Sequence, residues 1–307
     1  MADGNLVLCT LEGEIAIISK QGSLLRVLDE SSGVHDALVL NAQTDREGGL
    51  WLALGNGITR MEMPGPFTRF QEARGINGAI MAVLRHQGKL YMGGDQGLFV
   101  RVNAGGKAIS PLFVKQENIE GQTWDLLSTP EGLLIANHFG LYLLDENGIV
   151  TLYEQGRSTP FELMAFSYFP NLVFVGLENG LAILQRSAGA WKFAGILQHT
   201  SEGILSLAEE APGTIWAGTQ YQGILKIDLE RKLLEALNNG IAIEDSTLVA
   251  EVRSYGPPEG VAAGQAMVFT IDDKPKFATL AGLRRFEPGK GIFVPDSTYG
   301  ALLADTS

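Results

Sequence analysis

Polar and aromatic side chains collect at two kinds of recurring corner in this chain, and their chemistry suits a hydroxyl-rich ligand. Corners of the first kind carry Asn56, Asp95, Gln96, His138, Phe139, Glu178, Asn179, Gln220 and Tyr221, each beside a Gly-plus-apolar step. Corners of the second kind lead into an apolar run and carry His35, Asp36, Asn77, Gln122, Trp124, Glu162, Glu202, Gln265 and Tyr299. Amides and carboxylates exchange hydrogen bonds with sugar hydroxyls, while rings stack on sugar faces. The plainer explanation for any one of these residues is that turns are polar because water reaches them.

Catalytic chemistry is less well served. Acid–base work needs two groups with separated pKa values within reach of one substrate. Glu162, Glu202, Asp36 and His138 form the pool for such a pair, but no Gly-x-Ser-x-Gly elbow or phosphate-cradling glycine loop accompanies them. No catalytic residue is therefore assigned. His35, His86, His138 and His199 lack the short spacing of a metal site, so no metal ligand is assigned and no cofactor is expected. Calcium on corner carboxylates is the minor alternative. His86 and His199 read as peripheral, Asp272-Asp273 as a turn, and Glu209-Glu210 as a solvated strand end. The lone Cys9 has no internal disulfide partner, and its apolar strand predicts a buried, inert thiol.

The corners are set by a phrase repeated about every 40 residues: an apolar run with a bulky anchor, a polar corner, Gly plus an aliphatic, and a second run. It recurs at 50–61, 90–102, 133–144, 173–184 and 215–227, with weaker copies at 7–18 and 276–286. Runs this short, rich in Val, Ile, Leu and aromatics and stopped by Gly, Asn or Asp, are strand and hairpin signals. One further strand follows each phrase, and another precedes the next phrase, at 37–41, 80–84, 123–127, 163–167, 204–208 and 266–271. Seven units of four short strands predict an all-β, seven-bladed β-propeller, with four antiparallel strands per blade. The chain starts inside a unit, so residues 301–305 are expected to pair with 5–10 and complete the first blade as a 1+3 closure. The whole of 1–307 is then one domain. The anchors Trp51, Tyr91, Phe174, Trp216 and Phe277 are expected to pack between blades. The stretch 233–261 is longer than its counterparts and reads as an insertion loop, from Asn238-Asn239-Gly240 to Pro257-Pro258. It is the candidate lid or homodimer contact.

Composition narrows the partners. Hydrophobic residues make up 45% and charged residues 19%, enough apolar matter for a packed core. A net charge of −12 repels phosphate backbones, so nucleic acid is not an expected partner. No run reaches the roughly 18 apolar residues of a membrane span, and the opening MADGNLVLCT shows no signal peptide.

The phrases resemble the two-component regulator propeller repeat. Gly213-Thr214-Ile215-Trp216-Ala217-Gly218-Thr219 with Gly223-Ile224, and Gly49-Leu50-Trp51-Leu52-Ala53-Leu54 with Gly57-Ile58, carry the likeness best. The segment 276–283 adds its Thr and Gly-Leu, and all seven units fit the frame. Only two units have Trp at the anchor, and Glu14 stands where the family has an aliphatic. No Trp-Asp dipeptide closes a blade as in WD repeats, and no glycine pair recurs as in kelch repeats. The resemblance implies a bacterial, extracytoplasmic or periplasmic sensor module. It would bind a small molecule or oligosaccharide, and its signalling output domain lies outside this sequence. A propeller enzyme, lactonase- or streptogramin-lyase-like and dependent on a divalent metal, is the rival expectation. A protein-interaction scaffold is the third.

Overall fold

Short apolar runs, many of them stopped by a glycine corner, form 26 strands among the described residues. The structure is a computed structural model and describes residues 4–9, 15–28, 39–45, 49–61, 76, 78–103, 111–154, 158–243 and 248–299. Sheet one holds β1 (Leu6–Cys9), β2 (Ile15–Ile18) and β3 (Leu24–Leu28). Sheet two holds β4 (Val39–Thr44), β5 (Leu50–Leu54) and β6 (Gly57–Met61). Sheet three holds β7 (Ile80–His86), β8 (Lys89–Gly94), β9 (Gly97–Asn103) and β10 (Pro111–Lys115). Sheet four holds β11 (Thr123–Thr129), β12 (Gly132–Asn137), β13 (Gly140–Asp145) and β14 (Gly148–Glu154). Sheet five holds β15 (Pro160–Ala165), β16 (Leu172–Leu177), β17 (Gly180–Ser187) and β18 (Ala190–Ile196). Sheet six holds β19 (Ile204–Ala211), β20 (Thr214–Thr219), β21 (Ile224–Leu229) and β22 (Ala250–Tyr255). Sheet seven holds β23 (Ala266–Ile271), β24 (Lys274–Thr279), β25 (Gly282–Glu287) and β26 (Ile292–Pro295).

Seven antiparallel meanders of this kind make a seven-bladed β-propeller, as the repeat predicts. Five blades have four described strands and two have three. The expected fourth strand of blade two, at 67–70, lies outside the described residues, as does the 301–305 segment expected to close blade one.

The chain forms two compact units. One comprises 1–79, 87–91 and 98–117, and the other comprises 80–86, 92–97 and 118–307. The first has a core of Ile15, Ile17, Leu28, Val39, Leu50, Leu52 and Leu54. In the second, the leading strands β7, β11, β15, β19 and β23 lie side by side in chain order. Its largest core cluster runs from Phe166 and Phe174 through Ile215 and Leu225 to Leu248.

Two positions in the phrase explain why it repeats. The corner glycine has positive φ, 146° at Gly140 and 132° at Gly180, a region that a side chain rarely adopts. Two residues after the anchor, the chain runs against the next leading strand, and the residue there is small: Gly93, Ala136, Gly176 or Gly218. A Cβ at Gly218 would stand 2.4 Å from the Ala266 carbonyl oxygen, and one at Gly176 would stand 2.8 Å from that of Ile204.

Four anchors are buried as expected: Tyr91, Phe174, Trp216 and Phe277. Trp216 sits among Tyr255, Phe277, Phe286 and Phe293, with ring centroids 4.9–5.8 Å away. Trp51 departs from the expectation, being 40% exposed. Its indole N–H donates to Asp45 at 3.0 Å, and the Arg60 guanidinium lies 6.0 Å from its ring. The same acid–Trp–cation grouping recurs at Trp216 with Glu210 and Lys226, and at Trp191 with Glu131 and Arg186.

Other expectations need correction. Cys9 is exposed, and among the described residues β1 stands at the edge of its sheet. The insertion 233–261 is not simply a loop. A helix, α1 (Arg231–Asn238), begins two residues before it and buries Leu234 and Leu237. The Gln185 amide of β17 donates to the carbonyls of Leu237 at 2.6 Å and Ile241 at 2.9 Å, satisfying groups a helix end leaves open. The expected turn follows directly, with Asn239 as the C-cap and Gly240 at φ 80°.

Candidate functional site

The backbones of three phrase corners are tied down by hydrogen bonds. His138 N donates to the Gln122 carbonyl at 2.7 Å, Glu178 N to Thr159 at 2.8 Å, and Gln220 N to Gly203 at 2.9 Å. Each phrase corner is thus fastened to the approach of its own leading strand. Phe139 N donates to Asn137 Oδ1, Asn179 N to Ser158 Oγ, and Gln222 N to Thr219 Oγ1. Asn56, Gln96, Glu178, Asn179 and Gln265 are exposed, while Asp95, Gln122, His138, Glu202 and Gln220 are partly buried. The Glu202 carboxylate accepts from Ser201 N, and the Gln265 amide reaches the Met267 sulfur. A Cβ on Gly203 would meet both the Glu178 carbonyl and the Gln220 amide oxygen, so these two corners converge on Gly203.

Two aromatic corner residues stay open to solvent: Phe139 at 42% and Tyr221 at 69% exposure. Phe139 lies over Gly121 and meets the His138 ring edge-on at 5.0 Å. Tyr299 ends a short 3-10 turn, Ser297–Tyr299. His35, Asp36 and Asn77 lie outside the described residues.

Deeper in, the leading strands hold a feature that the sequence pattern does not reveal. Register slips by one residue between Thr123 and Asp125, between Pro160 and Glu162, and between Ile204 and Ser206. Each slip is a β-bulge, in which one extra residue re-aims the side chains after it. The extra residues are Trp124, Phe161 and Leu205. Trp124 and Phe161 pack edge to face at 5.1 Å, and the Trp124 indole N–H is buried without a hydrogen-bond partner.

After two of the bulges, the next residue fastens one leading strand to the following one. Asp125 accepts from Leu163 N of β15 at 2.8 Å and from its own neighbour Leu126 N at 2.7 Å. Ser206 Oγ accepts from Val268 N of β23 at 2.8 Å. Burial pushes Asp125 up to about 6, against the two amides that favour its charge. Burial, and then repulsion from Asp125, push Glu162 up to about 8. Of these three, only Glu162 is among the candidate residues marked by sequence. A polar residue interrupting an apolar leading strand is the signal that could have found the others.

Three expectations about charged side groups are also revised. His86 is not peripheral. It is buried on β7, with Nδ1 2.8 Å from Ser128 Oγ, and burial lowers its pKa. Glu209 and Glu210 are not idle strand ends. Glu209 accepts from both Ser167 N and Ser167 Oγ, and Glu210 accepts from the Trp216 indole. Among the described residues no group of three His, Cys, Asp or Glu side chains is placed to hold a metal. Nor is any helix among them long and apolar enough to cross a membrane.

No family model matches the sequence, and no curated protein matches it. Solved structures do. One, described as the extracellular domain of the hybrid two-component system BT3049 from B. thetaiotaomicron, superposes with a TM-score of 0.66 at 16% identity over 96% of this chain. The chain shares its fold. Another, described as the extracellular domain of the hybrid two-component system BT4673 from the same organism, gives a TM-score of 0.50 at 14% identity over 92% of the chain. This chain spans only 39% and 38% of the lengths of those two structures.

Proposed function

We propose that this chain is a non-catalytic sensing propeller of a bacterial signal-transduction protein. It acts outside the cytoplasm and binds a carbohydrate or another small polar ligand at its phrase corners. The observation that carries the reading is the pair of open rings, Phe139 and Tyr221, held on corners whose backbones are already hydrogen-bonded down. Rigid backbone with aromatic side chains open to solvent is what recognition of a polar ligand uses. The fold shared with extracellular domains of two-component systems supports a sensory role. Ligand then acts by population shift, favouring one arrangement that an output domain reads.

A thermal-shift screen of neutral and acidic oligosaccharides, with and without calcium, tests this. A saturable rise in melting temperature should appear with at least one glycan, and Tyr221→Ala with Phe139→Ala should abolish it while leaving the unliganded melting temperature within about 2 °C. A shift that survives both substitutions refutes the assignment of the site.

The enzyme reading draws on one observation, the Asp125–Glu162 pair with its separated pKa values, an arrangement that acid–base sites exploit. Both oxygens of Asp125 are occupied by backbone amides, which favours a structural use of the pair. Turnover of a lactone, lost in Glu162→Gln, would reverse that preference.

A further inference from the structure

Blade seven reverses the charge of the chain around it. Between Lys274 and Thr298 stand five basic residues, Lys274, Lys276, Arg284, Arg285 and Lys290, against two acidic ones, Glu287 and Asp296. The whole chain has 23 basic and 35 acidic residues, so this excess runs against its composition. Part of it gathers around one cavity of about 490 Å³. That volume lies within the about 300–1,000 Å³ of small-molecule sites.

Lys274, Lys276, Arg285, Ser297 and Thr298 line the cavity, and Glu210 is the one acid among its described lining residues. All of them belong to the second unit. Lys274 and Lys276 stand on the first half of β24, whereas the phrase corner of that blade, 280–281, follows its other end.

Existing partners use up these charges unevenly. Buried Lys276 pairs with buried Asp296 at 2.5 Å. Glu210 accepts from the Trp216 indole and pairs with Lys226, each at 3.0 Å, so its charge is already answered. Arg285 meets Glu287 at 3.2 Å, but Lys290 holds the same carboxylate more closely, at 2.9 Å. Lys274 is exposed and meets no acid among the described residues. Asp272 and Asp273 precede it in the turn, yet neither lines this cavity, and Asp273 lines a different one. What remains is positive charge from Lys274 and Arg285 beside two exposed hydroxyls.

An ammonium and a guanidinium hold a carboxylate or phosphate through charge-assisted hydrogen bonds, and neighbouring hydroxyls pair with ligand hydroxyls. We propose that the cavity on blade seven is a second binding site, for a small hydroxylated anion such as a sugar acid or a sugar phosphate. Lys274 and Arg285 take the charged group, and Ser297 and Thr298 take hydroxyls beside it. Lys276 is a positioning residue. Its partner Asp296 also accepts from Thr298 N at 3.0 Å, which fixes the turn that carries both hydroxyls. The inference is independent of what binds at the phrase corners.

Isothermal titration calorimetry of the intact chain with galacturonate, galactose 6-phosphate and neutral galactose tests this. At least one anion should bind saturably, about tenfold or more tighter than galactose, and its affinity should fall as salt is added. Either anion alone supports the site and identifies the charged group it takes. Lys274→Ala with Arg285→Ala, both at exposed positions, should weaken binding about tenfold or more, while Lys274→Arg should retain it. Lys274→Ala alone, with a loss of several-fold, serves if the double variant folds poorly. Phe139→Ala with Tyr221→Ala should leave anion binding unchanged, which separates this site from the phrase corners. The proposal is overturned if neither anion binds, if galactose binds as tightly as both, or if the folded Lys274→Ala, Arg285→Ala protein keeps full affinity. Loss of anion binding in the Phe139→Ala, Tyr221→Ala protein would overturn it as well.

Discussion

Gly218→Ala adds one methyl group where the blade junction has no room for it. The new Cβ would stand 2.4 Å from the Ala266 carbonyl oxygen, 2.4 Å from Ser206 Oγ and 2.8 Å from the Met267 Cα. Two of those neighbours are backbone of β23 and cannot rotate away. Ser206 can rotate, but only by giving up the bond it accepts from Val268 N at 2.8 Å. Overpacking costs about 1–3 kcal/mol, and stranding a buried amide costs about 1–3 kcal/mol more. The expected loss is therefore about 2–6 kcal/mol, which for a chain of this size lowers the melting temperature by roughly 3–9 °C. Scanning calorimetry of Gly218→Ala beside Ala136→Gly is the assay. Ala136 holds the equivalent place in blade four with its Cβ already accommodated, so its loss should cost only about 1 kcal/mol. Ser206→Ala in the Gly218→Ala background should recover only part of the stability, because the Ala266 carbonyl remains in the way. A Gly218→Ala protein that melts with the wild type would refute the claim that leading strands press on the phrase at this position.

Trp216→Ala should cost about 3–5 kcal/mol, since the ring is fully buried in an aromatic cluster. Trp51→Ala, at an exposed anchor held by Asp45 and Arg60, should cost about 1 kcal/mol. The reverse order in calorimetry would contradict the burial argument. Lys276→Met should destabilise by about 3–5 kcal/mol, because it leaves the buried Asp296 carboxylate without the ammonium now 2.5 Å away. The bond from Lys276, above all, holds Asp296 down to about 2, so its contribution is present above the ordinary value of 3.8 and lost as pH falls toward 2. Melting temperatures between pH 2 and 5 should accordingly fall steeply in the wild type and less steeply in Lys276→Met, and parallel curves would count against this role.

Much of the molecule is legible in its amino-acid order alone. Glycine at 97, 140 and 180 marks a backbone state that other residues avoid, so its recurrence locates corners directly. Alternating apolar residues in short runs leave little choice but strands, and seven such units leave little choice but a propeller. The anchors can be read as core residues by size alone. That rule fails at Trp51, which is 40% exposed although its acid and cation partners match in kind those of the buried Trp216. Helix α1 escapes the pattern although Leu233, Leu234 and Leu237 have helical spacing. The surrounding repeat of strands and the Asn-Asn-Gly turn outweigh one short amphipathic stretch.

The corner residues are likewise legible, because a turn announces itself through glycine and its polar neighbours. Asp125 and Ser206 are marked only as polar residues interrupting apolar leading strands, and nothing local says what they or Phe161 reach. A bulge adds one residue to one strand only, so it becomes visible once the partner strand is paired against it. Whether a carboxyl group meets a neighbouring blade's amide depends on two segments some 38 residues apart in sequence, as at Asp125 and Leu163. Local pattern determined the strands, the corners and the number of blades, because those follow from short-range backbone preferences. Which side chains meet at the junctions, as Asp125 meets Leu163 and Ser206 meets Val268, was decided only by how the finished sheets stand against one another.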